Sequence, residues 1–161
     1  MRMFYKKLLW SGFAVLALSG AGSTWAADSS LVYASRPADI LEIAKGFGRA
    51  ALEKDSTGDP KVTGRINGTK YMILFYECEN NKNCKALQFV AGWKTKKSLS
   101  VVNQFNAKKR FGRVYLDSDG EVMVEFDVEL AHGVTQGNLE EVFRDWSQTL
   151  KVVERDLLDE D

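Results

Sequence analysis

Cys78 and Cys84 are the two cysteines of the chain, set close together in Cys78-Glu-Asn-Asn-Lys-Asn-Cys84. In an oxidising compartment such a pair reads as a disulfide that closes a short loop, worth about 2 kcal/mol on chain-entropy grounds. Two other chemistries use paired thiols. A metal site would need two further ligands, which the single His132 and distant carboxylates do not obviously supply, and a redox pair usually stands two residues apart beside a helix. His132 is the lone imidazole. A hydrolytic triad would need a nucleophile and an orienting acid converging on it, and the chain has no nucleophile elbow of the GxSxG type. His132 therefore reads as a strand-end residue without a catalytic role.

Asp117-Ser118-Asp119-Gly120-Glu121 begins like a calcium loop but lacks the spaced ligands and the distal glutamate, and a turn between strands needs the same residue types. Gly46-Phe47-Gly48-Arg49-Ala50-Ala51 matches a dinucleotide fingerprint by letter. That fingerprint must follow a strand and open a helix, whereas helical periodicity runs through this segment. No catalytic, cofactor or metal set emerges, and the reading is of a noncatalytic protein. Glu125, Asp127 and Glu129 are different: a strand's period of two puts all three on one face together with Met123. The row is either a solvated surface, partly offset by Arg113, or a docking face for a basic partner with Met123 giving adaptable apolar contact. Asn103 and Asn106 are expected to hydrogen-bond a neighbouring loop.

The elements that would position these residues follow from periodicity. Ser35 is a plausible cap and Pro37 suits a first turn; Ile40, Ile43, Ala44, Phe47 and Ala51 then recur at helical spacing, predicting a helix over 36–53. Val62–Ile66 and Lys70–Glu77 flank Asn67-Gly68, the strongest short hairpin signal. Leu87, Phe89, Ala91 and Trp93 alternate with more polar residues and predict a third strand, tied to the second by the cysteines. Ser98 can cap a short helix that sends Val101, Val102 and Phe105 inward. In the second hairpin, a three-residue loop Ser118-Asp119-Gly120 puts Leu116 opposite Val122, Val114 opposite Val124, and Arg113 opposite Glu125 on the outer face. Thr135 or Asn138 caps a last helix whose stripe is Leu139, Val142, Phe143, Trp146, Leu150, Val153 and Leu157. The order α-β-β-β-α-β-β-α predicts an α+β fold, a five-stranded antiparallel sheet with helices on one face.

The first 26 residues have their own logic. Arg2, Lys6 and Lys7 precede an uncharged apolar run, Leu8 to Leu18, which is shorter than the roughly 20 residues that span a bilayer. Small residues then lead to Thr24-Trp25-Ala26, the pattern of a secretory signal peptide cleaved after Ala26. Removing it leaves about 135 residues with a net charge of about −3, enough for one domain and unsuited to coating phosphate backbones. The expected organisation is a signal peptide (1–26), a flexible lead-in (27–35), one domain (36–158) and an acidic tail (159–161), in a periplasmic or secreted protein with no stable membrane insertion after cleavage.

The segments Phe75-Tyr76-Glu77-Cys78 through Ala91-Gly92-Trp93, and Asn103-Gln104-Phe105-Asn106 through Phe111-Gly112-Arg113-Val114-Tyr115-Leu116-Asp117, resemble the YbjN family, labelled bacterial sensory transduction regulators. The resemblance continues through Gly120, Val128, Gly133-Val134-Thr135 and Trp146. It implies a fold similar to type III secretion chaperones, which are dimers that hold extended client segments, and so a protein partner, a homodimer being one form. It carries across no catalytic residues and no cofactor. The signal peptide and the cysteine pair set this chain apart from cytoplasmic members and from type III cargo. A small-ligand sensor with a pocket between helices and sheet is the second reading; a hydrolase would need polar residues converging in a cleft. The exported protein is expected to begin at Ala27, which N-terminal sequencing from the periplasmic fraction checks; an uncleaved chain there contradicts the reading.

Overall fold

The computed structural model describes residues 31–159, so the expected signal peptide (1–26) with its cleavage site, the start of the expected lead-in and the last two residues of the expected acidic tail lie outside the described residues. The elements run β1 (Leu31–Val32), α1 (Pro37–Lys45), β2 (Arg49–Lys54), β3 (Pro60–Ile66), β4 (Thr69–Tyr76), β5 (Ala86–Lys96), α2 (Leu99–Lys108), β6 (Arg113–Leu116), β7 (Glu121–Glu129), β8 (Val134–Thr135) and α3 (Gln136–Val153), which continues as a π-helical turn over Glu154–Leu158. Strands β2-β3-β4-β5-β7-β6 form a sheet of six in that order, each pair antiparallel, and β1 pairs with β8 separately. The α+β class agrees with the sequence; the sheet has six strands where five were expected.

The extra strand comes from the segment read as the second half of the first helix. Helix α1 buries Ile40, Ile43 and Ala44 as predicted but stops at Lys45, and Arg49–Lys54 leave as β2. Gly48 makes this possible, because a Cβ there would sit 2.1 Å from the Arg65 carbonyl oxygen; the chain passes directly against β3 at a point only glycine can occupy. Ala51, expected in the helical stripe, is exposed on β2. The fingerprint-like glycines thus end a helix and open a strand, the reverse of a dinucleotide turn. Arg36, not Ser35, occupies the N-cap and makes no capping side-chain bond, with Pro37 in the first turn. Part of the expected flexible lead-in is structured: Leu31 and Val32 pair with Thr135 and Val134, and Ala34 is fully buried.

Both expected hairpins form, and the second takes the expected register. Asn67 and Gly68 adopt φ of 51° and 92° between β3 and β4, the double left-handed turn that matches strand twist. Gly120 has φ 76°, and Leu116, Val114 and Arg113 face Val122, Val124 and Glu125. One sheet face is apolar throughout its centre, with Val62, Ile73, Phe75, Leu87, Phe89, Val122 and Val124 all buried, and the helices cover it. Helix α3 lays Leu139, Phe143, Trp146, Leu150 and Val153 onto that face, and Leu157 follows from the π-turn; Val142 is only partly buried. Thr135 caps α3 by accepting from the Asn138 amide. In α2, Ser98 accepts from the Val101 amide and Val102 and Phe105 are buried, but Val101 itself is 40% exposed, correcting its expected inward position. Tyr71 Oη and Trp146 Nε1 have no hydrogen-bond partner inside this layer, and burial pushes the Tyr71 phenol up to about 12.

The π-turn locks α3 to its surroundings. Glu154 accepts from Thr69 at the start of β4 and from Trp93 Nε1 on β5. Asp156 pairs with Arg155 and with Lys109 at the end of α2, and these contacts hold its carboxyl far below the usual carboxylate range. Between β4 and β5, Cys78 and Cys84 are joined by a disulfide. Within that loop Glu77, Asn80, Asn81 and Asn83 all have positive φ, a conformation costly for most side chains and easiest for asparagine. Asn81 ties the loop to the β2–β3 turn through Asp59 and the Thr57 carbonyl. A Cys78→Ala/Cys84→Ala protein is expected to lose about 2 kcal/mol in denaturant titration while keeping its circular dichroism spectrum; an unchanged midpoint would contradict the stapling role.

Candidate functional site on the helix-free face of the sheet

Strand alternation sends every second residue away from the helices, and the registers sort those residues into rows running across the strands. One row is Glu53, Lys61, Leu74, Gln88 and Asp127. The next is Ala51, Thr63, Met72, Val90, Glu125 and Arg113. A third holds Arg49, Arg65 and Lys70 on β2, β3 and β4, and Gly92, Met123 and Tyr115 face one another on β5, β7 and β6. Met123 lies across Gly92 so closely that a Cβ there would meet its sulfur at 2.4 Å. Around Met72, Val90, Gly92 and Met123 the face is hollowed into an open concavity of about 730 Å³. Val90 is only 4% exposed although it lies outside the helix-covered core. The concavity therefore already holds a desolvated apolar floor.

This hollow lies on the face opposite the helices, not between helices and sheet. A second groove, lined by Val32, Arg36, Phe47, Gln136 and Arg144, runs between α1 and the start of α3.

The acidic row is on one strand face, as expected, but its members differ. Glu125 is largely covered and committed: it pairs with Arg113 and accepts from Tyr115 Oη at 2.6 Å. Burial, then the Glu125 bond, push the Tyr115 phenol up to about 12. Asp127 is exposed and accepts from Gln88 Nε2 at 2.8 Å, while Gln88 takes the Tyr76 hydroxyl at 3.3 Å. Burial, Glu125 and Asp127 raise the Tyr76 phenol as well. Glu129 is exposed. Of the row, Met123 lines the concavity and Asp127 and Glu129 remain open to a partner.

The other residues singled out by sequence are placed plainly. His132 is exposed in the turn before β8. Asp117 Oδ1 accepts from the Asp119 and Glu121 amides, both at 2.9 Å, so the calcium-like segment uses a carboxylate to build its turn. Among the described residues no group of three metal-ligating side chains gathers, and no helix is long and apolar enough to cross a membrane. Arg49, Arg65 and Lys70 of the third row escaped sequence reading, and nothing in the sequence joined Lys94 to them. They lie on four strands, and only the register brings them to one hollow.

A family model described as "YbjN: Putative bacterial sensory transduction regulator" matches residues 37–158. The chain belongs to the YbjN family. No curated protein and no solved structure matches it. Several residues behind the family resemblance have structural roles in this YbjN domain. Asn106 clasps β6, donating to the Val114 carbonyl at 2.8 Å and accepting the Val114 amide at 3.1 Å. Gly112, with φ 75°, lies where a Cβ would come within 3.1 Å of the Glu125 carbonyl oxygen. Those contacts seat β6 beside β7 and hold Arg113 and Tyr115 over Glu125.

The raised phenol gives a pH signature. Folding holds the Tyr115 proton more tightly than the unfolded chain does, so its contribution to stability is complete below pH 10 and declines as pH rises through about 12. In a Glu125→Gln protein the Tyr115 ring-carbon NMR titration is expected to move to lower pH, though not to 10, since burial remains. An unmoved titration would show that Glu125 does not act on the phenol.

Proposed function

We propose that this YbjN-family protein is an exported, noncatalytic regulator that works by binding another protein, in a chaperone- or adaptor-like manner, through the helix-free face of its sheet. One observation carries the reading: a six-stranded sheet buries one face under three helices and leaves the other hollowed, apolar at its centre and charged around it. Soluble domains that expose an apolar hollow rimmed by charge commonly use it for recognition. The family's description as a sensory transduction regulator supports a role read out through a partner. Export rests on the first 26 residues and on a cysteine pair suited to an oxidising compartment. In this reading Met123 supplies adaptable contact, and Asp127 and Glu129 meet basic groups of the partner. A second copy of the chain is one such partner.

Covalent crosslinking of the tagged protein in its own periplasm, followed by mass spectrometry, is expected to return one recurrent protein at near-stoichiometric yield. The Asp127→Gln/Glu129→Gln variant is then expected to bind that protein about tenfold more weakly with its melting temperature nearly unchanged. Full affinity in the variant would remove the acidic row from the interface, and recovery of no recurrent protein would contradict the binding role.

A further inference from the structure

We propose that the hollow on the helix-free face is a binding site for a single-tailed anionic amphiphile, a molecule with one carboxylate or phosphate head and an alkyl chain. The argument begins with an anomaly in the charge rows. Across the sheet, charges that face one another are elsewhere compensated: Glu53 pairs with Lys61 at 3.5 Å and accepts the Thr63 hydroxyl, and Glu125 pairs with Arg113. In the third row, Arg49 faces Arg65 and Arg65 faces Lys70, three like charges on adjacent strands. Strands lie about 4.8 Å apart, so the three positions span only about 10 Å. Like charges placed directly opposite destabilise a sheet.

No acid among the described residues pairs with these cations. Glu53, the acid on β2, is taken by Lys61 and Thr63. Arg65 donates to the Gly68 carbonyl, and Arg49, Lys70 and Lys94 make no ion pair or hydrogen bond among the described residues. Lys94 stands on the same hollow, whose lining carries four cations against one acid, Glu121. An anion placed at the row would meet up to three charged donors at once, including two guanidinium forks suited to carboxylate or phosphate.

The head group alone would not need the rest of the hollow. Beside the cationic row lie Ala51, Thr63, Met72 and Val90, with Met123 folded over Gly92. Two methionines give a floor that adapts to a flexible chain. Met72 is 37% exposed, so an alkyl tail there covers apolar surface now facing water. Head and tail requirements are thus met side by side on one surface. The site shares its face, Met123 included, with the proposed protein contact, but its ligand is a small molecule and direct titration tests it without a protein partner.

The probes are laurate and dodecyl phosphate below their micelle concentrations, with inorganic phosphate and neutral dodecyl maltoside as controls, all titrated into the purified protein. Calorimetry is combined with the methyl NMR signals of Met72 and Met123, assigned by replacing each with leucine. Both anionic amphiphiles are expected to bind and to shift both methyl signals. Phosphate and the maltoside are expected to bind at least about tenfold more weakly. Added salt should weaken the amphiphiles. In Arg65→Gln and in Lys70→Gln, affinity is expected to fall about tenfold while the melting temperature holds or rises, because a like-charge contact is removed. Equal binding of the neutral maltoside would reduce the site to an apolar patch, and equal binding of inorganic phosphate would reduce it to an anion site; either overturns the proposal, as do unmoved methionine signals.

Discussion

Phe89, at the middle of β5, is fully buried against Phe143 and Trp146 of α3, with ring centroids 5.0 and 5.6 Å away. Most of the other elements are tied in through that contact. Phe143 stacks on Phe47 after α1, Trp146 meets Tyr71 of β4 edge-on, and Phe89 reaches Phe126 of β7, which reaches Phe111 before β6. Aromatic pairs of this kind add roughly 0.5–1.5 kcal/mol each beyond the area they bury. The network is one-sided by construction. Because β5 alternates, docking Phe89 on α3 forces Val90 and Gly92 to the opposite face, and the same step commits Met72 and Met123 to it through the pairing of β4 and β7.

The hollow is therefore a consequence of how the core is closed. Gly92 removes side-chain volume at the centre of the sheet, Met123 settles into that space, and the outer face dips where a longer residue would have filled it. Gly64 plays the matching part on the inner face, where a Cβ would meet the Tyr71 ring at 2.5 Å. The charges around the hollow then divide by strand. Glu125 and Asp127 on β7 find partners on β6 and β5, whereas Arg49, Arg65 and Lys70 on β2, β3 and β4 pair with no acid among the described residues.

Much of the local structure was legible from residue order. Asn67-Gly68 and Gly120 set two hairpin registers, and the stripe of α3 named its buried residues, because turn chemistry and periodicity act over short distances. The first helix was overextended because Ala51 falls in phase with Ile40, Ile43 and Ala44, and periodicity carries no information about the Arg65 carbonyl that Gly48 must pass. The strand Leu31–Val32 escaped for a similar reason, since its partner lies a hundred residues away. The acidic row was visible because it is consecutive on one strand. The basic row was not, because Arg49, Arg65 and Lys70 become neighbours only when three strands align.

The claim at the centre of this account is that the working surface is the face the helices leave bare. Photo-crosslinking residues placed one at a time at Thr63 and Lys94 on that face, and at Arg144 and Lys151 on the outside of α3, test it in living cells. The account predicts covalent adducts from Thr63 and Lys94 and none from the α3 positions. Adducts confined to α3, with the sheet positions silent, would contradict it.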